Sequence, residues 1–331
     1  MDHQPRVSVI VPAKDQAPYI SDALASLTRQ FNDPADLEVL VVDDGSTDGT
    51  GELAARFADR LPGLRILRND VPVGLATARN QGLDQARGGV LAYLDGDDWL
   101  APGHLAHCAD ELHRLDVEFV RVDHIRATGG SRALHRAPQA RRAVPLDPRE
   151  SILPDTESSM VDYPYAWAGV FHRSLADRGL LRFPDGLFTA EDRPWIWRLH
   201  LQSRAYAVVN SPGILYRRGV SSSLTQIYDR RQLDFVPAFR QSFDLVAADS
   251  EAGRFWPKAA RQFLAVAAHH LSRRANMDAV VRRELDDAIR SCLQDMPDDV
   301  RSEGFRRLDR RRKRLLRPLL PAGQRLRGVL A

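Results

Sequence analysis

The chain has 331 residues, 44% of them hydrophobic, with two cysteines and a formal net charge of +3. That length admits one large domain or two ordinary ones with ample core. No run of about 18 apolar residues occurs, which excludes a membrane-spanning helix, and Cys108 and Cys292 sit in no metal or redox spacing and are expected to be reduced.

The first residues lack the basic-then-apolar plan of a signal peptide, so a cytoplasmic protein is expected. The charge is unevenly placed. Residues 301–331 hold eleven Lys or Arg against two acids, a net +9, leaving −6 on the first 300 residues. The basic character belongs to the tail.

Residues 6–11 (RVSVIV) are a β-branched run ending at Pro12 and predict a buried strand. Residues 19–28 carry apolar positions at helical spacing. Residues 37–42 (LEVLVV) predict a second strand, which runs straight into Asp43-Asp44-Gly45-Ser46-Thr47-Asp48-Gly49-Thr50 and a helix over 50–59. A strand over 64–67, a helix over 74–85 and a strand over 90–94 follow. Strands alternating with helices at this pace mean βαβ units and a parallel sheet, with right-handed crossovers placing the strand ends on one rim.

The strand over 90–94 stops abruptly at Asp95, Gly96, Asp97 and Asp98. Clustered carboxylates repel one another unless something neutralises them. Mg²⁺ characteristically binds one or two carboxylates together with substrate phosphates. The plainer alternative is a solvated acidic turn. Asp43 and Asp44 share the predicted rim with this cluster, and open α/β sheets bind ligands at that edge.

A helix over 102–115 and a strand over 117–122 come next. Residues 124–150 are Gly-, Arg- and Pro-rich and read as a hairpin or a mobile excursion over the rim. Apolar strands are predicted over 167–171 and 205–209, and a helix over 191–202. Residues 213–217 lead into a serine loop at 221–223. Beyond about residue 228 the pattern turns helical, over 229–249, 255–274 and 277–294. The expected organisation is an α/β domain over 1–225 and a helical region over 226–331, whose helices could supply a homo-oligomer interface.

Val7-Ser8-Val9-Ile10-Val11-Pro12, Val41 to Thr50, Ala78-Arg79-Asn80-Gln81-Gly82-Leu83 and Leu94-Asp95-Gly96-Asp97-Asp98 occur in this order and spacing. Together they closely resemble the family 2 glycosyltransferases, over roughly residues 5–225. The resemblance implies the GT-A fold, a Rossmann-like, mainly parallel sheet flanked by helices. It implies an inverting enzyme with a nucleotide-sugar donor at the strand rim and Mn²⁺ or Mg²⁺ on the donor diphosphate. Carried over by motif, Pro12 and Ala13 lie beside the nucleobase. Asp44 hydrogen-bonds a uracil imide, which favours a UDP-sugar, while Asp43 orients the loop. Arg79 lies near the base or diphosphate. Asp95 and Asp97, with Gly96 between them, form the DxD pair. One of the acids contacts ribose or sugar, and Asp97 or Asp98 holds the metal. The chain departs from many relatives in carrying Lys14-Asp15 where they carry Tyr-Asn, and Asp15 stands among the donor-binding candidates.

Sugar transfer to a hydroxyl also needs a base within about 3 Å of that hydroxyl. Phe188-Thr189-Ala190-Glu191-Asp192-Arg193-Pro194 places two acids at a helix start, since Pro194 is tolerated only in a first turn. The segment resembles the family's Glu-Asp motif, whose Asp is the general base. Asp192 is therefore the expected base and Glu191 its support or a sugar-hydroxyl ligand. The alternative is dipole complementation at a helix N-terminus. Arg217 and Ser222 belong to a segment that resembles a late family loop able to close over the diphosphate. Trp167, Trp195 and Trp197 could stack on sugar rings or fill the core. The Gln-x-x-Arg-Trp pattern of processive polysaccharide synthases is absent.

Residues 305–320 (FRRLDRRRKRLLRPLL) read as a basic amphipathic helix. Such a helix can lie on an anionic membrane, here the inner face of the cell membrane, or dock on the acidic body. Interleaved aromatics are lacking, so nucleic acid is not expected as a partner. The leading reading is transfer of a hexosyl or N-acetylhexosaminyl group to a cell-surface glycan, wall polymer or lipid-linked acceptor. The alternatives are nucleotidyl transfer on a similar sheet, or a sugar-binding module that has lost catalysis.

Overall fold

A computed structural model describes residues 4–219 and 227–321. The chain opens with β1 (Val7–Ala13), α1 (Ile20–Leu27), β2 (Leu37–Asp44), α2 (Thr50–Ala55), β3 (Leu64–Asn69), α3 (Leu75–Gln85) and β4 (Val90–Tyr93). Strands β1, β2 and β4 are buried along their whole length, as β-branched runs are in a sheet covered on both faces. Helix α3 lies tight on this layer because Gly82 has no side chain. A Cβ there would stand 2.5 Å from Ile10 Cγ2.

Next come β5 (Trp99–Leu100), α4 (His104–Arg114), β6 (Phe119–Thr128), β7 (Ser131–His135), β8 (Gly169–His172), α5 (Arg173–Asp177), α6 (Asp192–Gln202) and β9 (Tyr206–Arg217). The nine strands form one sheet in the order β3-β2-β1-β4-β8-β6-β9-β5, with β7 paired to β6. The β3-β2-β1-β4 half is parallel, as the βαβ pattern requires. Beyond it the sheet is mixed, because β8 runs antiparallel to both β4 and β6. Two reversals restore the direction, and β9 is parallel to β6. The carboxyl ends of β1, β2, β4, β6 and β9 therefore reach one rim. The Gly- and Arg-rich stretch after β6 begins as a hairpin, with His124 paired to His135 and Thr128 to Ser131. Residues 213–217 continue β9 past a bulge.

The helical region comprises α7 (Phe235–Ala247), α8 (Ala252–Arg273), α9 (Ala279–Gln294), α10 (Asp298–Arg306) and α11 (Arg310–Leu316). Phe235, Phe239, Phe255 and Phe263 are buried and belong to one core continuous with that of the sheet. The tail differs from the single amphipathic helix expected over 305–320. Asp309 caps a separate α11 by accepting the Arg312 N–H, an N-cap that starts a new helix. Leu308, Leu316, Leu319 and Leu320 are buried in the same core, with α11 against α8. The apolar face available to a lipid surface is thus occupied by protein. No helix among the described residues is long and apolar enough to cross a membrane.

Candidate active site

The rim begins where β1 ends at Pro12 and Ala13, with Ala13 in register with Asp43 of β2. Asp43 is buried and builds the turn after β2, accepting the Ser46 N–H at 3.0 Å and an Arg68 guanidinium. Asp44 turns the other way. Its Oδ1 accepts Asn69 Nδ2 at 2.9 Å and the Val73 N–H at 2.8 Å, and its Oδ2 accepts the Gly74 N–H at 2.9 Å. This carboxylate ties the end of β3 to the start of α3, with acceptor capacity left on Oδ2. Asp15, at a left-handed φ of +50° that Asp tolerates, links the two loops by accepting the Thr47 N–H at 2.9 Å. That bond and the neighbouring Lys14 hold its carboxyl below the usual range.

One guanidinium organises the centre. Arg79 points from α3 into the protein, donating to Asp95 Oδ1 at 2.8 Å and to Glu191 Oε1 at 2.7 Å. It also stacks on Phe183, 5.0 Å from the ring centroid. Burial works against its charge, but the two carboxylates more than offset this and its pKa is raised.

The remaining acids of the Asp-Gly-Asp-Asp turn divide sharply. Gly96 is buried against the end of β1, where a Cβ would be 3.4 Å from Ala13 Cβ and Pro12 O, an ordinary contact. Asp97 is partly exposed, and burial together with the Asp95 charge pushes its carboxyl up to about 6. Asp98 has no exposed surface. Its Oδ1 accepts the Arg217 N–H at 2.7 Å and its Oδ2 is buried without a partner. Burial and the charges of Asp97 and Asp95 hold Asp98 well above the carboxylate range. The two metal candidates therefore differ in access: Asp98 is enclosed with Oδ1 committed to the Arg217 N–H, whereas Asp97 is partly exposed. Asp95 and Asp97 fit a hard cation, because two mutually repelling, partly dehydrated carboxylates are relieved by a divalent charge.

Arg217 does not stand free over a phosphate. Its Nε donates to Asp97 O at 2.8 Å and its Nη2 to Asp22 at 2.9 Å, while the guanidinium packs on Trp99 and Tyr19. It is a strut for the acidic turn. Ser222 lies outside the described residues.

Opposite this turn, Ala190 adopts a φ of +60° immediately before Glu191. An alanine in that region is strained and needs its surroundings to hold it. Asp234, at the start of α7, supplies the hold by accepting the Phe188 N–H at 2.6 Å and the Thr189 N–H at 3.3 Å. Thr189 Oγ1 donates to Arg231 O at 2.6 Å. Glu191 is buried on Arg79. Asp192 heads α6 with a side chain 29% exposed and its nearest cation, Arg193 Nε, at 4.0 Å. Burial raises both carboxyls, opposed by Arg79 at Glu191 and by Arg193 and Arg79 at Asp192.

A model described as glycosyl transferase family 2 matches residues 8–182. The chain belongs to that family. The chain is 27% identical over 232 residues to the uncharacterised glycosyltransferase EpsJ of Bacillus subtilis, a match spanning 70% of the chain and 66% of EpsJ. It is 43% identical over 104 residues to the glycosyltransferase AglE of Haloferax volcanii, covering 30% of the chain and 34% of AglE. The chain thus spans less than two thirds of either relative. In three dimensions it resembles Staphylococcus aureus TarS 1-349 in complex with UDP-GlcNAc, with a TM-score of 0.73 at 21% identity, covering 89% of this chain and 82% of that one. It also resembles the Pyrobaculum calidifontis mannosyltransferase PcManGT in complex with GDP-Man and Mn²⁺, with a TM-score of 0.53 at 20% identity over 99% and 88% of the two chains. These likenesses establish the GT-A fold.

The rim gathers Pro12, Ala13, Asp15, Asp44, Arg79, Asp95, Asp97, Glu191 and Asp192 from five separate stretches of chain. Trp195 and Trp197 are fully buried in the core and Trp167 nearly so, which removes Trp195 and Trp197 as sugar-stacking surfaces. Sequence reasoning missed Phe183 under Arg79 and Asp234 behind the Glu-Asp turn. Neither lies in a motif, and both act through contacts across long stretches of chain.

Proposed function

We propose that this glycosyltransferase moves a sugar, with inversion and in a metal-dependent reaction, from a UDP-sugar to a hydroxyl of a surface glycan, wall polymer or lipid-linked acceptor. The observation that carries the reading is the double grip of Arg79. One buried guanidinium fixes Asp95 and Glu191 against each other, so a diphosphate seat and a proton acceptor share one rigid frame. The relatives support the substrate class. TarS carries the name poly(ribitol-phosphate) beta-N-acetylglucosaminyltransferase, and its fold-mate structure holds UDP-GlcNAc.

In this reading the base of the donor lies between the Pro12-Ala13 end of β1 and Asp44, whose Oδ2 accepts from the imide. Asp15 and Asp43 hold the flanking loops. Asp97, with Asp95, would hold Mn²⁺ or Mg²⁺, which when bound neutralises charge on the departing diphosphate. Asp192 removes the proton from the acceptor hydroxyl while that oxygen bonds to the anomeric carbon. The bond from this carbon to the phosphate oxygen breaks, and its electron pair leaves with UDP. Attack from the opposite face inverts the centre. Burial keeps the Asp192 carboxylate basic enough to accept the proton. Glu191 orients the turn through Arg79.

Residues 1–225 form the catalytic domain in this proposal, and 226–331 a helical region that braces it. The work is done in the cytoplasm, with the exposed arginines of the tail as the contact to an anionic membrane face. Calorimetric titration with UDP, GDP, CDP and TDP, each with and without Mn²⁺, tests the reading. Metal-dependent preference for UDP is the expected result. Preference for another nucleotide would overturn the role of Asp44, and absence of binding to all of them would leave a module without catalysis.

A further inference from the structure

Strands β6 and β9 run past the rim together, with His124 to Ala127 in register with Ile214 to Arg217. Their ends carry an aromatic wall. Trp167 lies 5.1 Å from Tyr216 and 4.9 Å from Tyr165, ring centroid to centroid. Tyr216 stands next to the acidic turn, close enough for Asp98 and Asp95 to act on its phenol. The wall therefore adjoins the proposed diphosphate seat.

Behind and beside the wall sit guanidiniums that pair with no carboxylate among the described residues. Arg126 is half-buried. Its Nη2 meets His135 Nε2 at 3.3 Å and Tyr165 Oη at 3.4 Å, and its Nε is buried without a partner. Arg121 is fully buried, donating to Tyr163 O at 2.9 Å and Tyr165 O at 2.7 Å, with Nε and Nη1 unpartnered. Among the described residues neither forms an ion pair with a carboxylate. The nearby Asp123 is committed to Arg142 at 2.8 Å and to the Ala137 N–H at 2.8 Å. On the exposed side Arg218 donates to Tyr216 Oη at 3.1 Å. Taking cations out of water without a partner charge is costly, and a bound anion offsets that cost. Guanidinium forks match phosphate oxygens in geometry.

Resting on the glycosyl-transfer reading, we propose that the acceptor carries a phosphate ester near the attacked hydroxyl. Its polyol or sugar part lies on the partly exposed Tyr165 and Tyr216, which Trp167 backs, and its phosphate on Arg126 and Arg218. The phosphate is a handle and is not consumed. The same chemistry is offered by a polyol-phosphate chain and by a prenyl-diphosphate-linked sugar.

The test is tryptophan fluorescence titration of the full chain, saturated with UDP and Mn²⁺, with three probes. These are a short glycerol-phosphate oligomer, citronellyl diphosphate glucose, and glycerol as the unphosphorylated control. One or both phosphorylated probes should bind, and which of them does so identifies the source. Arg126→Gln and the exposed Arg218→Gln should each weaken that binding on the order of tenfold, and Arg126→Gln should leave UDP binding intact. Failure of both phosphorylated probes to bind better than glycerol overturns the proposal, as does unchanged affinity in both variants. UDP binding in the same protein separates the outcomes. If UDP binds and the probes do not, only the acceptor proposal falls. If UDP does not bind, the transfer reading itself falls.

Discussion

Arg79 and Glu191 are separated by 112 positions in the chain and meet at 2.7 Å inside the protein. The same guanidinium reaches Asp95, so removing it strands two carboxylates at once. Arg79→Met should destabilise the protein by about 3–5 kcal/mol, the usual cost of leaving one side of a buried ion pair uncompensated. Urea unfolding at neutral pH reads this directly. Part of the loss should return at acid pH, where the stranded acids take up protons.

Asp192→Asn should keep the fold and lose the chemistry. Its side chain makes no ion pair shorter than 4.0 Å, so the melting temperature should stay within a few degrees. Turnover should fall on the order of 10²–10⁴, as for loss of a general base, with KM for the donor little changed. Equal loss in Glu191→Gln with normal stability would move the base role to Glu191.

Asp97 makes the metal-free protein sensitive to pH. Its carboxyl is raised from 3.8 to about 6, so the folded state binds the proton more tightly than the unfolded chain does. The stability this contributes is fully present below about 4 and is lost as pH rises through about 6. Asp97→Asn should remove that slope and stabilise the metal-free protein at pH 8 by up to about 3 kcal/mol. Cation binding needs the ionised form, so Mn²⁺ affinity in the presence of UDP should climb across the same interval and vanish in the variant.

Arg217→Ala should loosen the acidic turn rather than merely weaken phosphate binding. Losing its bonds to Asp97 O and Asp22 and its packing on Trp99 should cost about 1–3 kcal/mol. The check is a melting curve beside UDP affinity. A normal melt with weakened UDP binding would restore the phosphate-clamp role.

The parallel half of the sheet was legible because β1, β2 and β4 are buried along their whole length and its strands end in acids or turn residues. The rim followed from the handedness of the crossovers. The mixed half was not legible. Nothing in Gly169–His172 distinguishes a strand running against β4 from one running with it, since a short buried run has no directional signal. The split between Asp97 and Asp98 was also hidden, because adjacent residues in one turn differ only by which way their side chains face. The tail is a related case. An apolar stripe records that something covers it without saying what, and α8 covers the leucines of this one.

Asp234 reaches from the helical region to hold the amides of Phe188 and Thr189, just ahead of the strained Ala190. The two halves of this protein are therefore not interchangeable parts. A substitution at Asp234, outside the sheet and away from every motif, would reach the Glu191-Asp192 turn through the backbone it holds, so the rim can be disturbed without touching a residue on it.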